Sequence, residues 1–237
     1  MKKLLCLAIL FILAAALPAL AKPEAEEFRN RDYDVTSIKT VLVMPVMFDV
    51  KKPESEAFFD EKISQKWKDL TSPTVNKKFP FLQKSPEDVV ERDNYVKGAA
   101  SPDKLSPTKT AEKALSLASE YVSAVLTATV TKCEIKVIRH PEEITWETRY
   151  RTQNVWINGR LEEVSVPYQY KNVRPAWDEE VSIAAVKMEL RDAKNSTLIY
   201  GSSVYAATGD SLFVTRPSLT THVCNVLENA TKRLPSK

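Results

Sequence analysis

An α/β (α+β) fold follows from three stretches of the chain. It should be a single domain of two or three layers, with a mixed sheet that has an early crossover strand, an antiparallel meander and a C-terminal helix. The run Thr40-Val41-Leu42-Val43-Met44-Pro45-Val46 is continuously apolar and rich in β-branched residues, the mark of a strand covered on both faces. Residues 109–122 carry a helical stripe that passes without a turn signal into a second such strand, residues 124–130. Later segments alternate with period two around turn residues, as antiparallel strands do.

Taken in order, residues 22–38 are polar and charged and read as a mobile arm before the first strand. After Lys51-Lys52-Pro53, the residues Phe59, Ile63, Trp67 and Leu70 recur at helical spacing, with Asp60, Glu61, Lys66 and Lys68 outward. Phe79-Pro80-Phe81-Leu82 is a short extended piece. Ser85-Pro86-Glu87-Asp88 opens a helix with a capping hydroxyl, a proline in the first turn and acids against the positive end of the dipole. That helix should stop near Gly98. Residues 99–108, with two Ser-Pro steps, read as a linker. Ala111, Ala114, Leu115, Ala118, Tyr121 and Val122 form the stripe of the next helix.

From Lys132 onward the second strand alternates, with Cys133, Ile135 and Val137 on one face. Residues 143–170 hold a hairpin that should protrude as an insertion, turned by Asn158-Gly159, since both turn positions need positive φ. Val181–Leu190 and Thr197–Tyr205 form another strand pair around Asp192-Ala193-Lys194-Asn195-Ser196. After Arg216-Pro217, the residues Leu219, Val223, Val226, Leu227, Ala230 and Leu234 make the buried stripe of the last helix. One α/β domain over residues 39–235 is the simplest organisation.

Residues 1–21 have a lysine n-region, an apolar h-region from Leu4 to Leu17 and the small-residue site Ala19-Leu20-Ala21, so they read as a cleaved signal peptide. Removing Lys2 and Lys3 with that segment takes the formal charge from +3 to +1, too little for a nucleic-acid footprint. No later stretch has transmembrane length. The product is expected to be exported, periplasmic or extracellular. With 4 glycines and no GxGxxG or P-loop pattern, nucleotide-cradling chemistry has no carrier, and no cofactor is expected.

Three segments, TVLVMPV, ALSLASEYVSAVLTATVTKCEIK and SIAAVKMELRDAKNSTLIYGSS followed by a helix, together resemble a known envelope domain. It is shared by the curli-secretion protein CsgG, the N-terminal domain of TolB and the lipoprotein activators of penicillin-binding proteins. Asp192 matches the turn aspartate of those families, while Ala128 replaces a usual glycine, Asn195-Ser196 a Thr-Gly and Tyr200 a tryptophan. Over about residues 38–235 the resemblance implies an envelope accessory or assembly role without catalysis. It does not imply a channel, because no pair of long amphipathic strands with aromatic girdles is evident.

Reaction chemistry finds little support. Cys133, His140, His222 and Cys224 match no zinc spacing, and no metal site is expected. Ser202, Ser203 and Ser211 sit near glycines without a GxSxG elbow. Acids such as Glu142, Glu143, Glu147, Glu162, Glu163, Asp178, Glu179 and Glu180 are abundant but unpatterned. Cys133 and Cys224 allow one disulfide, whose geometry the spacing does not supply. The most distinctive feature is an aromatic surface drawn from Trp146, Tyr150, Trp156, Tyr168, Tyr170 and Trp177, interleaved with Arg149, Arg151, Arg160 and Arg174. The alternative is that one parity of these rings lies under helices as core. The foremost functional expectation is a non-enzymatic envelope accessory or assembly protein working through protein contacts. A cell-wall glycan-binding module using the hairpin aromatics is the second, and a carboxylate-dependent hydrolase the third.

Overall fold

The computed structural model describes residues 23–51, 53, 56, 58–98, 105–210 and 215–235. The signal-peptide segment, the first part of the 99–108 stretch and Ser211 lie outside the described residues. The chain divides into two compact units, one made of residues up to Lys136 and from Val181 onward, the other of Val137–Glu180.

The first unit is a mixed sheet with helices on both faces. Its strands are β1 (Glu24–Arg29), β2 (Thr40–Val43), β3 (Met47–Phe48), β4 (Leu82–Lys84), β5 (Ala124–His140), β8 (Trp177–Asp192) and β9 (Leu198–Gly209). They lie in the order β1-β9-β8-β5-β2-β4, with β3 also on β5. β2 runs parallel to both β4 and β5, whereas β8–β9 and β1–β9 are antiparallel.

Helix α1 (Phe59–Thr71) connects β2 to β4 on one side of β2; α2 (Pro86–Val96) and α3 (Pro107–Tyr121) lead back across to β5. Crossovers are right-handed, so reversing the direction of travel puts these helices on opposite faces. The two cores show that division. Phe59, Ile63, Trp67 and Leu70 of α1 pack with Val41, Leu126, Val186 and Met188, and with Leu219, Val223 and Leu227 of α4 (Leu219–Thr231). Leu42 and Val125 meet Val89 and Val90 of α2 and Ala114 and Ala118 of α3 on the other face.

The local signals account for the helix ends. Ser85 and Asp88 form a reciprocal capping box at α2, and Gly98 ends that segment at φ +67°. The second Ser-Pro step, expected in the linker, instead opens α3: Ser106 is its N-cap and Pro107 its first residue. Leu115, expected in the α3 stripe, is exposed; Thr110, Ala114 and Ala118 are the buried positions. The α4 N-terminus is capped twice. Ser218 accepts from the Thr221 amide, and the Glu56 carboxylate accepts from the amides of Leu219 (2.6 Å) and Thr220 (2.8 Å) and from the Thr220 hydroxyl.

The mobile arm expected over 22–38 is corrected by the structure. Residues 24–29 form edge strand β1, registered Ala25↔Val204 and Phe28↔Gly201, and Val35–Ser37 make a 3-10 turn. The stretch looked polar because an edge strand needs few apolar contacts, and glutamates at 24, 26 and 27 discourage further strands from adding there.

Candidate interaction surface

The second unit is a two-stranded ribbon, β6 (Glu143–Ile157) against β7 (Arg160–Arg174), 15 residues in each strand. At ~3.4 Å per residue each strand is about 50 Å long. Asn158 and Gly159 turn it with φ of 51° and 82°, the left-handed pair of a type I′ turn. A two-residue turn fixes the register: Ile157 faces Arg160, Tyr150 faces Pro167 and Glu143 faces Arg174.

That register divides the expected aromatic surface. Residues directly opposite share a face, so even-numbered β6 positions join odd-numbered β7 positions. Trp146, Tyr150 and Trp156 stand on one face with Lys171, Pro167 and Leu161 opposite them; they are 63%, 68% and 70% exposed. Tyr168 and Tyr170 are on the other face, opposite Arg149 and Glu147. There Arg149 lies 3.7 Å over the Tyr170 ring and Arg151 5.8 Å over Tyr168, cation–π contacts that half-cover both tyrosines. The six aromatics are therefore not one platform. Nor is either parity core, since hydrophobics of both faces, Ile144, Trp146, Val155, Trp156, Ile157 and Tyr170 among them, are exposed.

Trp177 belongs to neither face. It opens β8, half-buried, with the His140 imidazole stacked on it at 4.1 Å and 9°. The same ring has its Nε2 2.8 Å from Glu179 Oε2, and Arg174 lies 5.4 Å over the Trp177 ring. The sequence signal for this contact is the matched pair of breaks, His140-Pro141 after β5 and Arg174-Pro175 before β8.

The ribbon is a pair of long strands. Trp146 and Trp156 sit near its two ends on one face, and between them Tyr150 and Pro167 are set among Thr148, Thr152, Asn154, Glu163, Ser165 and Gln169. That is not the continuous apolar band of a membrane strand. No helix among the described residues is long and apolar enough to cross a membrane.

The residues weighed for reaction chemistry are dispersed. His222 is buried in α4, its Nε2 3.0 Å from the Ala206 carbonyl. Cys133 and Cys224 are free thiols, so the disulfide considered from the sequence is not formed. Both pack against the same core from β5 and α4, and burial raises both pKa values, that of Cys133 to about 11. Among the carboxylates, Glu147 pairs with Arg149 and Glu179 with His140, while Glu162 and Glu163 fall on opposite ribbon faces.

No family model matches the chain, and no curated protein matches it either. Among solved structures, it is similar to PelC from Paraburkholderia phytofirmans, described as a dodecamer, at 12% identity. That likeness covers 91% of this chain and 99% of that one, with a TM-score of 0.40. Lipoprotein GNA1162 from Neisseria meningitidis is similar at 14% identity over 81% of this chain and 96% of that one, with a TM-score of 0.34. Likenesses this distant say nothing of function.

Proposed function

We propose that this is an exported, non-enzymatic accessory or assembly protein of the cell envelope, acting through contacts of the ribbon with another protein chain. The observation that carries this reading is the ribbon's pair of unpaired edges. Among the described residues β6 and β7 pair only with each other, so alternate residues of each 15-residue strand turn their backbone N–H and C=O groups outward to solvent. An isolated two-stranded ribbon is marginally stable in water, and bare edges are templates for strand addition. The first unit blunts its own edges, with acidic β1 at one end and three-residue β4 at the other. The contrast supports an edge kept open for use. The signal-like N-terminus and the resemblance to CsgG, TolB and the activator lipoproteins support the envelope as the place.

Site-directed photo-crosslinking in intact cells tests the proposal. A photoreactive residue at Thr145 or Asn172, an exposed pair on the face away from Trp146, should give a discrete adduct with an envelope protein or a second copy, while the same residue at exposed Leu115 on α3 should not. Absence of adducts at every ribbon position would overturn it.

A further inference from the structure

We infer that the ribbon face bearing Trp146, Tyr150 and Trp156 is a binding site for a linear, uncharged polysaccharide. The inference stands on the face of the ribbon and not on its edges, so it is independent of strand addition.

The two faces have different chemistry. The opposite face carries Glu143, Glu147, Glu162, Arg149, Arg151, Arg160 and Arg174, and an arginine lies over each of its tyrosines, Arg149 over Tyr170 and Arg151 over Tyr168. On the Trp146 face the charges are Glu163 and Lys171 alone, of opposite sign. No ring or cation lies over Trp146, Tyr150 or Trp156 among the described residues, so their π-faces are open. The electron-rich face of an aromatic ring attracts weakly positive C–H groups, which the flat side of a pyranose presents. Between the rings are hydroxyls and amides, Thr148, Thr152, Asn154, Ser165 and Gln169, which donate and accept hydrogen bonds as sugar hydroxyls require. Gln169 Nε2 donates to Thr148 Oγ1 at 3.1 Å, which holds two of them in place.

Spacing argues against the other occupants. Tyr150 lies four residues from Trp146 and six from Trp156, or about 14 Å and 20 Å along the strand. A protein hot spot gathers its aromatics into one desolvated cluster, and a lipid surface needs continuous apolar contact. Rings set apart along one line suit a polymer that lies lengthwise and offers a similar face at each. The net neutrality of the face excludes a polyanion as the preferred ligand.

Pull-down of the chain lacking residues 1–21 on chitin, cellulose and dextran, with titration of chitohexaose and cellohexaose, tests this. Binding to at least one of these is expected. Trp146→Ala and Trp156→Ala should each weaken it roughly tenfold, Trp156→Tyr should restore most of it, and Tyr170→Ala should leave it unchanged. Circular dichroism of each variant should match the parent, because the replaced rings are exposed. Failure to bind any of these glycans overturns the inference, as does equal loss in Tyr170→Ala. So does sedimentation of the protein without glycan, or association with phosphatidylglycerol vesicles only. Adducts in the crosslinking experiment could persist through any of these failures, which separates the two proposals.

Discussion

His140 lies flat against Trp177, with ring centroids 4.1 Å apart, and this stack joins the two points where the chain enters and leaves the ribbon. β5 ends at His140 and β8 begins at Trp177. The contact is reinforced by Glu179 on the imidazole and by Arg174 over the indole.

The first prediction follows from that closeness. Neither core of the first unit contains any residue of Val137–Glu180. Replacing residues 141–176 with Asn-Gly should therefore leave a folded protein, since a two-residue turn spans neighbouring antiparallel strand ends. Its melting temperature should lie within about 4 °C of the parent, equivalent to roughly 1 kcal/mol for a chain of this size. Binding at the ribbon should vanish. An insoluble or unfolded product would mean that the ribbon contributes to folding of the first unit.

A second prediction concerns the thiols. Thiolate is the reactive species, and burial raises the pKa of both cysteines, with the Glu56 charge adding to the effect at Cys133. At pH 8 the folded chain lacking residues 1–21 should react slowly with a thiol reagent. Unfolding in guanidinium without reductant should release both Cys133 and Cys224. If neither reacts after unfolding, the two are bonded and the free-thiol arrangement is wrong.

What was legible in the sequence was local chemistry. The α2 start follows from Ser85, Pro86 and Asp88 alone, and the ribbon's turn from Asn158-Gly159, because caps and type I′ turns involve only adjacent residues. The register could have been read too. Once Ile157 faces Arg160, Tyr170 must face Glu147 and cannot share a face with Trp146. Strand β1 was hidden because its partner β9 lies far along the chain and its side chains are nearly all exposed. The role of His140 was hidden for a similar reason, since it depends on Trp177 and Glu179 across the ribbon. Long-range pairing of exposed or polar residues leaves no periodicity to detect.

The third prediction is a pH dependence. Glu228 on α4 receives hydrogen bonds from Lys232 (2.8 Å) and from Lys66 on α1 (2.7 Å). Those bonds, Lys232 first, hold its pKa at about 2 although burial opposes them. A folded value below the unfolded one means stability fully present above about pH 4.5 and lost as the pH falls towards 2. Glu228 is a third exposed, so solvent screening limits the contribution to about 1 kcal/mol or less. Glu228→Gln should therefore lower the melting temperature at pH 7 by up to roughly 4 °C and flatten its decline between about pH 4.5 and 2. Some decline should remain, because Asp93, bonded to Lys97, and Asp192, bonded to Tyr33, are also held low. Molar salt should shrink the difference between parent and variant at neutral pH. Parallel melting curves across the acid range would show that the α1–α4 bridge contributes nothing to stability.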